Sequence, residues 1–353
     1  MSYRWAIAGT GSIAHQFAAA LGRLPDAELV AVGSRHQRTA DEFGDAHGIP
    51  PGRRYGSYER LAADDGVDVV YVASPHSHHH RHTLLFLRAG RGVLCEKPFA
   101  VDAEQAAEMV ATARAQGQFL MEAMWSRFLP AYVKIRELVA AGTIGTVLAV
   151  EGDFGFPLPV DPTNRMFDLA QGGGALLDLG VYPISLASML LGEPAQVAAF
   201  GQLGSTGVDE HIAVLTSYRD GGAVAVAKAS LRASLACTGR IAGSAGSIEL
   251  PAFMHCPEEL VVRGRSGTER LSLPAAADSA DGSNPEPGGT DAPARQGDGD
   301  RSGGGLHHQV RHVQSRLRAG LLDSDVMPLE ESVSVMRTLD AARAQIGLRY
   351  PVI

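Results

Sequence analysis

The feature that most constrains this chain is the regular alternation of short apolar runs and helix-like segments over its first third. Apolar runs at residues 4–8, 28–33, 67–73 and 92–95 are each followed by a segment of helical spacing, at 12–21, 38–47, 79–89 and 104–115. The run 67–73 is apolar almost throughout, as expected of a strand covered on both faces of a parallel sheet. Strands and helices alternating in this way predict an α/β Rossmann fold, an open doubly wound parallel sheet with right-handed crossovers, over residues 1–122.

Beyond about residue 120 the pattern changes. Residues 119–125 and a helix near 130–140 read as a bridge. Strand-like runs follow at 146–154, 195–202, 210–218, 223–231, 239–242 and 260–262, with turns such as Arg219-Asp220-Gly221-Gly222 between them. Consecutive strands joined by short turns predict a large, mostly antiparallel open sheet. A helix at 174–191 interrupts the series, and two more, near 307–321 and 329–346, close the chain. Residues 123–353 are therefore expected to form a C-terminal α+β domain for substrate binding and dimerisation, its last helices packing back on the first domain. A length of 353 residues accommodates two such domains. Residues 274–305 are rich in Gly, Pro, Ala, Ser and Asp, with almost no large apolar side chain. They read as a flexible surface insertion that cannot offset its own ordering entropy, or else as a lid over the pocket.

Composition narrows the function. A net charge of −8 argues against a protein that neutralises phosphate backbones, so no nucleic-acid partner is expected. Residues 2–5 run straight into a strand, so no secretory signal is expected, and no apolar run reads as approaching the roughly 20 residues that span a bilayer. Cys95, Cys237 and Cys256 are widely spaced and odd in number. They suit reduced thiols in the cytoplasm better than a disulfide framework.

Gly9-Thr10-Gly11-Ser12-Ile13-Ala14 sits between the first strand and the first helix. Gly9 permits the tight turn, Gly11 lets backbone approach a pyrophosphate, and Ala14 keeps helix and sheet close. Amides of Ser12 and Ile13 at the helix N-terminus then face the anion. The motif alone is weak, but its position in an alternating chain makes a dinucleotide the expected cofactor. The second strand ends Gly33-Ser34-Arg35-His36-Gln37-Arg38, with no carboxylate before Asp41 to accept from a ribose 2′-hydroxyl. Ser34, Arg35 and Arg38 would suit the 2′-phosphate of NADP rather than NAD. The alternative is that both arginines are solvated surface charges.

Leu94-Cys95-Glu96-Lys97-Pro98-Phe99 lies where a parallel strand should end, at the edge where ligands bind. Lys97 there could hold a substrate hydroxyl beside the nicotinamide, or could be an exposed, salt-bridged lysine. Pro98, which fixes the backbone as it leaves the sheet, favours the first. Asp178 and Tyr182 are four residues apart and would share a helix face. An ordinary tyrosine titrates near pH 10, and a neighbouring lysine cation would lower that by about 1–3 units, making a Lys–Tyr pair a sensible proton acceptor. The alternative is a core tyrosine whose hydroxyl Asp178 satisfies. His76, His78, His79, His80 and His82 crowd one loop just after Ser74. No cysteine or carboxylate lies close in sequence to complete a metal site, so no metal is expected. Contacts to pocket or cofactor from Ser74, His76 and His79 are expected instead. Trp125 and Phe154 could stack on a ring-shaped substrate or could be core.

Residues 9–14, Glu96-Lys97-Pro98 and the segment from Asp178 to Tyr182 together resemble the family of glucose–fructose oxidoreductase and inositol dehydrogenase. The likeness is greater to its branch of dimeric dihydrodiol dehydrogenases and NADP-dependent D-xylose dehydrogenases. It rests on Gly56-Ser57-Tyr58-Glu59, residues 119–128, residues 173–182, Thr206-Gly207-Val208-Asp209 and Cys256-Pro257-Glu258-Glu259-Leu260. The resemblance implies that Lys97 and Tyr182 are the catalytic pair and that Asp178 orients them or the substrate. It implies cofactor contacts from Glu96, Lys97, Trp125 and Arg127, and substrate contacts from Trp125, Phe154, Asp178 and Tyr182. It further implies NADP, a cis Lys97–Pro98 bond and a homodimer through the outer faces of the C-terminal sheets. Residues 274–305 are longer than the matching family loop. The expected activity is hydride transfer between NADP and a secondary alcohol or hemiacetal carbon of a sugar or cyclic vicinal diol. The rivals are an NAD-dependent inositol or amino-sugar dehydrogenase of the same fold and a non-catalytic dinucleotide sensor.

Overall fold

In the computed structural model, which describes residues 2–219, 222–265, 267–275 and 304–351, the apolar runs of the first third all become strands of one sheet. The elements are β1 (Tyr3–Ala8), α1 (Ser12–Leu21), β2 (Ala27–Gly33), α2 (Gln37–His47), β3 (Arg54–Tyr55), α3 (Tyr58–Ala62), β4 (Val69–Val72), α4 (His79–Arg88), β5 (Gly92–Glu96), α5 (Ala103–Gln116) and β6 (Leu120–Ala123). All pairings are parallel, in the order β3-β2-β1-β4-β5-β6. Strand order reverses beside β1, which opens a crevice at the carboxyl ends of the strands. Every residue of β4 and β5 is buried, as strands covered on both faces must be.

Two pieces of this sheet differ from the sequence expectation. Residues 120–123, read as bridge, form its sixth strand, with Glu96 in register with Ala123. β3 and α3 went unread because two residues carry no periodicity and the five of α3 rest on a cap, Ser57 accepting from the amide of Arg60.

The second sheet is built after α6 (Pro130–Ala140) from β7 (Val147–Gly155), then, beyond α7 (Val181–Leu191), from β8 (Gln196–Leu203), β9 (Asp209–Ser217), β10 (Val224–Ser230), β11 (Gly239–Gly243), β12 (Gly246–Leu250), β13 (Glu259–Gly264) and β14 (Gly267–Ser272). Its order is β14-β13-β12-β11-β7-β10-β9-β8. β7 and β10 run parallel, and the other pairs among the described residues are antiparallel. α7 lies across β7 and β10. Residues 169–191 are in fact long and apolar enough to cross a membrane, contrary to the expectation, but 83% of an 18-residue apolar window within them is buried inside the fold. A helix covered on all sides is apolar on all sides.

The chain closes with α8 (Leu306–Arg318) and α9 (Leu329–Gln345), which return to the first sheet's helices. α8 lies on α1, where Gln314 donates to Asp26 O at 2.8 Å, and α9 lies on α5, where Asp340 accepts from the amide of Ala103 at 2.9 Å. The insertion read at 274–305 falls mostly on residues 276–303, outside the described residues, as does the turn tip Asp220-Gly221.

Candidate active site

At the carboxyl end of β1 the chain turns at Gly9, whose φ is +123° and where an added Cβ would stand 2.6 Å from Ala73 O. Glycine is required there by both conformation and contact. At Gly11 an added Cβ would meet nothing within 4 Å, and α1 begins with no side chain capping its first amides. Gly11 and Ser12 are exposed and Ile13 is half-buried. Free amides, an open approach and the positive end of a helix dipole fit a pyrophosphate. At the end of β2, Ser34 Oγ lies 2.6 Å from Thr39 Oγ1 and 3.5 Å from Thr10 Oγ1. Arg35 is exposed and forms no ion pair among the described residues, whereas Arg38 pairs with Glu42 at 2.6 Å along α2. Ser34 is buried against Thr39, and Arg35 is the exposed cation at the end of this strand.

Lys97 leaves the end of β5 through a cis bond to Pro98. Its Nζ donates to Asp178 O at 3.0 Å and to Asp178 Oδ1 at 3.2 Å. Arg165 reaches the same carboxylate with both terminal nitrogens, at 3.1 and 3.4 Å, and His76 Nε2 lies 3.4 Å from it. Burial would raise the pKa of Asp178, but Arg165, Lys97 and His76 outweigh it and hold the carboxyl well below its usual range. Asp178 is therefore an anion that anchors cations. Burial would likewise strip Lys97 of its proton, but Asp178 outweighs it and raises the pKa of the amine. Lys97 stays cationic.

The geometry around Asp178 depends on backbone. Residues 176–180 form a π-helical turn rather than the α-helix expected, and α7 continues directly from it. Such turns widen a helix locally and occur often at functional sites. Asp209, leading β9, accepts from the amide of Leu176 at 2.7 Å and so holds the start of this turn. Gly173 lets the loop carrying Arg165 close down, since a Cβ there would stand 2.6 Å from Arg165 O.

Tyr182 is 6% exposed, with Lys97 Nζ 4.9 Å from its ring centroid and the indole of Trp125 donating to its hydroxyl at 3.1 Å. In the register of β5 with β6, Glu96 pairs with Ala123, and Trp125 follows two residues beyond that pair. Lys97 does lower this tyrosine's pKa, as expected from the sequence, but the net shift is upward. Burial dominates and pushes Tyr182 up to about 12, with Lys97 and Trp125 pulling the other way and losing. Phe154, near the end of β7, meets Tyr182 edge-on at 5.6 Å.

The remaining expected residues divide. Glu96 is buried, accepts from the Tyr71 hydroxyl and from the amide of Lys97, and so braces the lysine from behind. His76 joins the cluster, its Nδ1 3.0 Å from Gly172 O. His79 does not: its ring nitrogens each lie 2.8 Å from a carbonyl, of Pro98 and Ser74, clamping the turn after β5 to the loop after β4. Ser74 Oγ meets His82. Arg127 is not brought to the site either. It is 1% exposed and bonds Ser185, Val326 O and Glu331, which ties the turn after β6 to α7 and α9. Sequence reasoning missed Arg165, Asp209 and His255. Asp209 had a signal, in the Thr206-Gly207-Val208-Asp209 segment; Arg165 and His255 had none.

Set against known proteins, residues 3–124 match the oxidoreductase family with an NAD-binding Rossmann fold, and residues 132–249 match the GFO/IDH/MocA C-terminal domain. The chain is 39% identical over 355 residues to trans-1,2-dihydrobenzene-1,2-diol dehydrogenase of Mus musculus, covering 99% of each. It is 37% identical to the enzyme of that name from Homo sapiens, again covering 99% of each. Among solved structures, an aldose-aldose oxidoreductase from Caulobacter crescentus has the same fold at TM-score 0.83 and 23% identity, covering 98% of both chains. A 3-ketoreductase from Actinomadura kijaniata, solved in complex with NADP, aligns at TM-score 0.77 and 25% identity over 98% of both chains.

Proposed function

The chain belongs to the GFO/IDH/MocA oxidoreductase family, and within it we propose an NADP-dependent dehydrogenase that oxidises a ring carbon of a sugar or cyclic vicinal diol. An NAD(P)-binding dehydrogenase acting on CH–OH groups is common ground with its relatives; the coenzyme preference and the ring substrate are our reading. The observation that carries it is the cationic Lys97 between Asp178 and the ring of Tyr182, at the carboxyl edge of the parallel sheet.

The bound coenzyme supplies the hydride acceptor. The chain's own residues handle the oxygen. Lys97, fixed by Asp178 and by Glu96 behind it, holds the substrate oxygen and stabilises the charge it develops. Tyr182 Oη exchanges the hydroxyl proton, and the Trp125 N–H favours the tyrosinate form. With Tyr182 raised by burial and Lys97 held cationic by Asp178, both groups can hydrogen-bond the reacting oxygen in either direction of the reaction. Oxidation has to draw on the minor, deprotonated tyrosine. Ser34 and Arg35 support NADP, and the NADP complex of the Actinomadura relative agrees with that. The mammalian relatives are named for a cyclic vicinal diol, which supports the substrate class.

A homodimer is part of the proposal. Phe200 on β8 is 83% exposed, and Leu215 on β9 and Val224 on β10 are also exposed. The strand registers put all three on one face of the second sheet. Such a patch on a sheet face is the mark of an interface.

Initial rates with NADP and with NAD, over aldopyranoses, inositols and cyclic trans-diols, test the reading. Turnover of a ring substrate with preference for NADP is expected. Preference for NAD would overturn the roles of Ser34 and Arg35, and tight NADP binding without any turnover would favour a sensor.

A further inference from the structure

Three side chains converge on the carboxylate of Asp178, and one of them is open to solvent. Asp178 is 7% exposed and its partners Lys97 and His76 are buried nearly as deeply, whereas the side chain of Arg165 is 51% exposed. Asp178 Oδ1 is shared by Arg165 Nη1 at 3.1 Å, Lys97 Nζ at 3.2 Å and His76 Nε2 at 3.4 Å, while Oδ2 meets Arg165 Nη2 at 3.4 Å. Arg165 opens a single helical turn, Arg165–Phe167, which Asn164 caps by accepting from the amide of Met166 at 2.9 Å. That turn is fastened where the amide of Gly174 donates to Met166 O at 2.9 Å, and the Tyr350 hydroxyl secures Gly173 O at 2.8 Å. A half-exposed ion pair is ordinarily worth little. This one differs because the acid in it is buried and is the acid that holds Lys97.

A carboxylate oxygen has two lone-pair sites, and the three donors on Oδ1 all stand farther off than the roughly 2.7–2.9 Å of a close charge-assisted bond. No single cation therefore owns this carboxylate. Lys97 Nζ gives one N–H to Asp178 O at 3.0 Å and one to the shared oxygen, which leaves a third for the substrate oxygen. Arg165 is the strongest of the charges that hold Asp178 ionised against burial, ahead of Lys97, and it opposes the pull of Asp178 on the lysine. The other ionisable groups facing Asp178 are Glu96 at the end of β5, Tyr182 on α7 and Tyr350 after α9, and none of them is a cation. Without Arg165, the buried carboxylate would have Lys97 as its cation among the described residues. The two would close into a tighter pair at the expense of the substrate oxygen, and the carboxyl would take up a proton at higher pH.

We propose that Arg165 is a positioning residue: by sharing Asp178 Oδ1 it keeps the Asp178–Lys97 pair open enough for the lysine to serve the substrate oxygen. This rests on the dehydrogenase reading above. The test compares the wild type with Arg165→Ala and Arg165→Lys, circular dichroism and NADP binding establishing that each is folded; Arg165→Met replaces the alanine variant if that one is not. In Arg165→Ala, kcat should fall about 10–100-fold while KM stays within about threefold. Arg165→Lys should recover part of the loss. Guanidinium ion, added well below the concentration that unfolds the protein, should restore kcat in Arg165→Ala, and urea at the same concentration should not. The acid limb of the kcat profile should move to higher pH, because Asp178 has lost its main counter-charge. Infrared difference spectra of the free enzyme against pH follow the same carboxyl without turnover, its band being assigned by loss in Asp178→Asn, and should show the same upward move in Arg165→Ala. A loss confined to KM would overturn the proposal and make Arg165 a substrate-binding group. An unchanged kcat, with or without an infrared shift, would leave a surface ion pair, and a loss with neither rescue nor a moved acid limb would leave packing. A wild type that turns over no ring substrate would overturn the dehydrogenase reading, and this inference with it.

Discussion

The two walls of the active site are made of different material. On the side of the parallel sheet, the cofactor cradle is largely backbone: the turn at Gly9, the open approach at Gly11 and the uncapped amides of α1. On the side of the second sheet the wall is side chains, with Asp178, Tyr182, Phe154, Arg165 and His255 drawn from separate elements. A backbone site is sensitive to added atoms and indifferent to most chemistry. A side-chain site is the reverse, because its function is the positions and charges of particular atoms.

The largest effects should come from the meeting line of the two walls. Lys97→Ala should lower kcat/KM about a thousandfold with NADP affinity nearly unchanged, because it removes charge stabilisation at the reacting oxygen. A variant that binds NADP and turns over at the parental rate would end the mechanism. Next is proton exchange at Tyr182. With its pKa near 12, the rate of alcohol oxidation should climb with pH through the neutral and alkaline range, by up to about tenfold per unit. Tyr182→Phe should abolish that limb along with most activity; a pH profile that survives the substitution would assign the proton elsewhere.

Smaller effects separate the backbone wall from the rest. Gly9→Ala forces a methyl against Ala73 O and should cost about 1–3 kcal/mol of stability, measured by denaturant unfolding. Gly11→Ala should leave the unfolding midpoint in place and weaken NADP binding about tenfold, since its methyl enters space the pyrophosphate would use. If both substitutions changed only stability, the cradle would not be a cradle. The smallest effect on activity is expected of Phe200→Asp. It should convert a dimer to a monomer by light scattering while kcat stays within about threefold, because the outer sheet face lies away from the chemistry.

Much of the first wall was legible in the sequence. Gly9, Gly11 and Lys97 occupy the ends of strands that apolar periodicity locates, and the end of a parallel strand is where ligands bind. β6 was not legible, because four residues with a glutamate among them resemble a connection until β5 pairs with them. β14 is polar and exposed along most of its length, so no alternation marks it. Arg127 looked like a site residue in a motif and proved to be an internal tie, since only packing shows which way a guanidinium points. Arg165 and His255 lie in loops whose course depends on glycines and neighbours far away in the chain.

By itself the sequence determined the kind of fold and the cofactor end, and it singled out Lys97, Asp178 and Tyr182, which the structure brings together. Periodicity, turn glycines and short motifs are local, and local signals survive being read in one dimension. Only the tertiary structure decided what those groups are at neutral pH. It made Asp178 an anchor for cations, raised Tyr182 where a nearby lysine alone would lower it, and placed a neutral histidine in an aromatic wall. Burial and charge act through space, and their balance exists only once distant segments have closed around the site.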